Sequence, residues 1–275
     1  VAHVHVILNQ KGGVGKSTLT VNLAAVTADV LGRGDAVAGR VGTSRVGTSR
    51  SASGGGTVPG GGAQVVAVSI DPQGSAVWWS ERVGDGLPFD FVQAHDDLTG
   101  LAALRELPGV RHVFVDTPGW LGVPVAAGGD PLGTGPAADA LRAVLDSADD
   151  VIVPIEPEPL GFEPTQRTVE QVIAPRGLPY RVVVNNWDPR DGRADLEQTQ
   201  AFIAAQGWPA ARTVVRHYKL HTRASADGLV VTQYAANRTA LQAREDFFRL
   251  ALEVGLGAPP LPRARTARGK AGAVR

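Results

Sequence analysis

The chain has no cysteine and no methionine in 275 residues. Without cysteine there is no disulfide framework, thiolate zinc site, cysteine-ligated iron–sulfur cluster or thiol nucleophile. No apolar run approaches the ~20 residues of a membrane span. Val1 to Asn9 lacks the basic and apolar regions of a secretion signal, so a cytoplasmic protein is expected. Excess charge of one sign is missing too, since 27 Lys and Arg balance 27 Asp and Glu. That argues against a wholly basic nucleic-acid coat protein and leaves room for local patches. The 43% apolar share is enough to bury a sizeable core.

Val4 to Leu8 reads as a short buried strand. His3 and His5 read as packed imidazoles rather than metal ligands, because no third ligand stands near them in sequence. Lys16 to Leu31 has helical spacing in Leu19, Leu23, Val26 and Val30. Gly32 to Ala63 holds 11 glycines and an immediate Val-Gly-Thr-Ser-Arg repeat, composition that predicts a flexible insert. Strands follow at Gln64 to Ile70, Phe89 to Gln93, Val110 to Val115, Val151 to Ile155, Arg181 to Val184 and Thr213 to Val215. Helices are expected at Ser75 to Val83, Asp97 to Leu107, Ala137 to Ser147, Pro164 to Ile173, Ala194 to Gln206 and near Asn237 to Val254. Such alternation, with nearly continuous apolar strands, predicts one α/β domain: a doubly wound, mostly parallel sheet with helices on both faces. The domain should span residues 1–257, ahead of a basic, disordered tail over 258–275.

Lys11-Gly12-Gly13-Val14-Gly15-Lys16-Ser17-Thr18 lies between a predicted strand and a predicted helix, the setting of a phosphate loop. Its glycines let successive N–H groups face phosphates, and the helix start adds partial positive charge. Lys16 should reach the β- and γ-phosphates, Ser17 should bind Mg²⁺, and Thr18 is placed for an α-phosphate oxygen. The common pattern wants glycine at Gln10, and this chain departs from it. Asp71 and Asp116 each end an apolar strand, where open α/β sheets place ligands. Either carboxylate could hold Mg²⁺ directly or through water.

These three segments resemble the ParA/MinD class of P-loop ATPases with a deviant Walker A motif. The resemblance implies a P-loop fold, ATP and Mg²⁺ as cofactors, and a homodimer formed with ATP in which Lys11 reaches the partner's nucleotide. It implies that Asp71 assists the attacking water and that Asp116 is the Walker B acid. It also implies that Asn185 reads adenine, with Asn186 as the alternative. Ser69 stands where the family often has a further acid. The absent cysteines exclude iron-protein relatives, and the tail lacks both a membrane-binding apolar face and a tyrosine cluster.

The expected function is therefore a short ParA-like partition ATPase, nucleoid-associated, with slow intrinsic hydrolysis stimulated by a ParB-like centromere-binding partner. Non-specific DNA binding is expected of it, with Arg216, Lys219 and Arg223 as first candidates. Two rivals share the core: an ATPase of the same class that positions a protein cargo, and a metabolic P-loop synthetase using Trp120 and Asp130 near its γ-phosphate.

Overall fold

The computed structural model describes residues 1–39, 63–120 and 129–256, with backbone only over 33–39. Six strands are present: β1 (His3–Ile7), β2 (Val65–Ser69), β3 (Asp90–Gln93), β4 (His112–Asp116), β5 (Asp150–Ile155) and β6 (Tyr180–Val184). They form one sheet in the order β3-β2-β4-β1-β5-β6, and every pairing is parallel. Side chains alternate between faces along a strand, so every strand but the largely exposed edge strand β3 feeds two cores. Val4, Val6, Val113, Val115, Val151 and Val153 pack on one side with Leu141, Val144, Val172 and Leu196. Ile7, Ala67, Phe114, Ile152 and Val183 pack on the other with Leu19, Leu23, Trp79 and Phe247. Burial on both faces is why the strands read as unbroken apolar runs.

The helices are α1 (Lys16–Gly39), α2 (Ser75–Val83), α3 (Leu98–Ala102), α4 (Pro136–Ser147), α5 (Phe162–Arg167), α6 (Ala194–Ala205), α7 (Lys219–Asp227) and α8 (Arg238–Glu253). No helix of the described residues is long and apolar enough to cross a membrane.

Four expectations need correction. First, α1 does not stop at Leu31 but continues to Gly39. The two interior glycines of this extension, Gly32 and Gly34, cost roughly 1 kcal/mol each, which a helix already nucleated over four turns can carry. Residues 40–62 of the expected insert and the whole expected tail, 258–275, lie outside the described residues. Second, Asp97 to Leu107 forms only the short α3, capped by Asp97, and then a 3₁₀ turn at Leu104–Glu106. There Arg105 turns away to donate to the carbonyls of Ser147 and Ala148 at the C-terminal end of α4. Third, Thr213 to Val215 runs beside β6 but is not a strand, because the backbone N–H groups of Arg212 and Thr213 go to the Glu253 carboxylate on α8. Fourth, the helix expected over Pro164 to Ile173 starts at Phe162 and widens to a π-turn at Thr168–Ile173.

Candidate nucleotide site

Parallel register brings three strand ends to one edge. Ile7 pairs with Asp116 and Asp116 with Ser69, so the segments after β1, β2 and β4 emerge side by side. The loop after β1 is anchored from behind by the widened helix. Asn9 donates to Thr165 Oγ1 at 2.9 Å, and the Gln10 N–H to Thr168 Oγ1 at 3.0 Å. Gln10 is buried and the loop accommodates it where the common pattern has glycine. Gly13 and Gly15 both stand at φ +82, the left-handed region that favours glycine. At Gly15 a Cβ would lie 2.3 Å from Asn185 Nδ2, so glycine is required twice over.

Lys16, the first residue of α1, is buried, and its ammonium donates to the Lys11 carbonyl at 3.0 Å. Burial lowers its pKa, with Asp116 and Asp71 only partly opposing that. A buried cation without a contacting counter-ion suits an anionic ligand. Ser17 Oγ donates to Asp116 Oδ2 at 2.8 Å. Asp116 is fully buried and its pKa is pushed up to about 7, chiefly by that burial. Its Oδ1 has no hydrogen-bond partner. A hydroxyl and an orphaned carboxylate oxygen fit a hard divalent cation such as Mg²⁺. Ser69 lies near the same carboxylate, Oγ to Oδ2 at 3.5 Å, and accepts the Asp71 N–H. Asp71 Oδ1 accepts the Gln73 N–H at 2.9 Å, which fixes the turn after β2 at the mouth of the site.

Two clefts share the loop. One, of 580 Å³, runs from Gly15 and Thr18 to Asn185, Asn186, His217 and Tyr218. The other, of 840 Å³, holds Lys16, Asp71 and Thr117 on the opposite side. Asn185 directly follows β6 and clamps the loop, donating to the Val14 carbonyl at 2.7 Å. Asn186, at φ +66, bridges Glu156 and His217. Lys11 stands at the rim. Its ammonium meets Glu156 at 3.2 Å and Glu158 at 2.9 Å of the same chain. Burial would lower its pKa, but those carboxylates outweigh burial and raise it.

The basic residues separate. Lys219 and Arg223 are exposed one turn apart on α7. Arg216 instead lines the first cleft and is committed to Asp246, Nη2 to Oδ1 at 2.6 Å and Nε to Oδ2 at 2.9 Å. Of the synthetase candidates, the Trp120 N–H is held by the Gln10 carbonyl and Asp130 by Arg142 and the Leu132 N–H. Residues 121–128 of that loop lie outside the described residues.

Sequence reasoning missed Glu156 and Glu158, although both follow an apolar strand, the same signal that marked Asp71 and Asp116. It also missed the cleft wall of His217, Tyr218 and His221, for which no local motif exists.

No protein-family model matches the chain. It is 33% identical over 250 residues to the maintenance of carboxysome distribution protein A of Gloeobacter kilaueensis, covering 90% of this chain and 92% of that protein. Among solved structures it is similar to apo McdA of Cyanothece, with TM-score 0.59, 13% identity, and 93% and 100% of the two chains covered. It is also similar to the septum site-determining protein MinD complexed with Mg-ADP from Pyrococcus horikoshii, with TM-score 0.57, 19% identity, and 93% and 96% covered. At these identities the solved structures speak to the fold.

Proposed function

The chain belongs to the ParA/MinD class of P-loop ATPases, and from that premise we propose that it is an ATP-gated switch that positions a protein cargo. The observation that carries the reading is the near full-length likeness to a carboxysome distribution protein. That likeness favours cargo positioning over plasmid partition, which the same ATPase core would also serve.

Lys16 and the loop N–H groups bind the β- and γ-phosphates, and Thr18 meets the α-phosphate. Ser17 and Asp116 hold Mg²⁺, which when bound neutralises phosphate charge. Asp71, at the mouth, orients the attacking water. The first cleft takes the nucleoside, with Asn185 and Asn186 beside the base. Lys11 exchanges Glu156 and Glu158 for the partner subunit's nucleotide, so that two facing ATP molecules each gain a cation. Dimerisation then doubles a basic surface that includes Lys219 and Arg223, raising affinity for DNA phosphates steeply. Arg216 is left out of that surface because Asp246 balances it. A cargo-bound adaptor stimulates slow hydrolysis and releases the dimer from the nucleoid.

Charge reversal at Lys219 and Arg223 tests the DNA step. Loss of affinity with a shallower salt dependence is expected; unchanged affinity and slope would place the surface elsewhere.

A further inference from the structure

A second cluster of ionisable groups lies at the opposite edge of the sheet, away from the phosphate loop. His3 and His5 are two apart on β1, so both side chains leave the same face. Parallel pairing sets His3 beside His112 of β4 and His5 beside Asp150 of β5. Neighbours in register share a face, and the four side chains converge. His3 Nε2 lies 2.6 Å from Asp150 Oδ2, and His5 Nδ1 lies 3.0 Å from each oxygen of Asp150. The third ligand that the local sequence lacked is thus supplied from 145 residues away.

We propose that His3, His5 and Asp150 bind a divalent transition metal of the zinc type. One ligand atom from each lies within 4.8 Å of the others. Tetrahedral zinc, with ligands at ~2.0–2.2 Å, sets its donors roughly 3.3 Å apart, so the two His–Asp150 pairs need open only slightly. Two imidazoles and one carboxylate suit zinc, whereas Mg²⁺ and Ca²⁺ want oxygen donors throughout.

The surroundings are those of a ligating histidine. His5 Nε2 is 3.1 Å from His112 Nδ1. His112 is buried, and its Nδ1 can accept the N–H of His5 when His5 Nδ1 ligates, fixing tautomer and ring orientation. The ring of Phe114 stacks on His5 with centroids 4.9 Å apart, packing the inner side. The outer side is open: the His3 and Asp150 side chains are 35% and 28% exposed, against 3% for His5. An ion can enter from solvent there and keep water as its fourth ligand. Once bound, it would clip the first strand to β5 with a bond that the apo hydrogen bonds only approximate.

The test is zinc titration of the untagged full chain by calorimetry, without nucleotide or Mg²⁺, with Co²⁺ as a spectroscopic probe. One micromolar-range site and a tetrahedral Co²⁺ absorption band are expected, with Tm raised by zinc. His3→Gln and Asp150→Asn should each weaken zinc binding at least ~10-fold and lose the band, while binding of an ATP analogue is unchanged. His3→Gln alters a partly exposed ring, so the fold should survive, as circular dichroism would check. No zinc binding at micromolar concentration, or equal binding by His3→Gln and the parent chain, would overturn the proposal.

Discussion

At the residue scale, the candidate nucleotide site is a set of groups that the protein's own side chains leave uncompensated. Lys16 is a buried ammonium held only by a carbonyl, and Asp116 a buried carboxyl with one orphaned oxygen. Such arrangements cost stability and are retained where a ligand supplies the missing charge. Lys16→Ala should therefore abolish nucleotide binding, read with a fluorescent ATP analogue. Lys11→Ala should keep most of that affinity and lose ATP-dependent dimerisation; a dimer that forms normally would contradict the role across the interface. Gly15→Ala meets both a positive φ and a Cβ position 2.3 Å from Asn185. It should cost about 1–3 kcal/mol in urea melts and weaken nucleotide binding, because the clamp on Val14 must move.

At the element scale, α7 and the segment leading into it show what sequence patterning can and cannot reach. The strands were legible because double-sided burial writes itself as apolar runs, and the phosphate loop because its glycines serve backbone geometry. α7 was not legible: only Ala224 on it is buried, so no apolar period marks it. It is stopped by Gly228 at φ +69, where a Cβ would strike the Arg82 carbonyl, so its place is set by tertiary packing. The Thr213 to Val215 segment misled for a similar reason, since the acceptor for its neighbouring N–H groups lies 40 residues away at Glu253. Glu253→Ala should destabilise by about 1 kcal/mol through the loss of two charge-assisted hydrogen bonds, measured by chemical denaturation.

His221 on α7 gives this element a pH signature. Its ring packs on Phe247, and Nδ1 lies 2.9 Å from the Tyr234 hydroxyl. Burial, then repulsion from His217, lowers its pKa to about 4. The unfolded chain, with a histidine pKa near 6.5, takes up the proton first. Stability from this group is complete above pH ~6.5 and is lost as pH falls toward 4, by up to about 3 kcal/mol. Replacing His221 with Gln should flatten the pH slope of urea melts in that window; an unaltered slope would contradict it.

At the scale of the whole molecule, the parallel sheet gathers the loop after β1, Asp71, Asp116, Glu156 and Asn185 at one edge and leaves the histidine cluster at the other. In the proposed reading the nucleotide is met from the ends of β1, β2, β4 and β6, which would let one bound ligand bias a large surface at once. In the proposed cycle ATP, and not ADP, changes the assembly state and with it DNA affinity. The most direct measurement is solution mass with parallel DNA binding, in no nucleotide, ADP, ATP and a slowly hydrolysed ATP analogue. A dimer with salt-sensitive, sequence-indifferent DNA binding only in the two ATP-like states is the predicted result. ATP binding by a chain that stays monomeric and ignores DNA would contradict it.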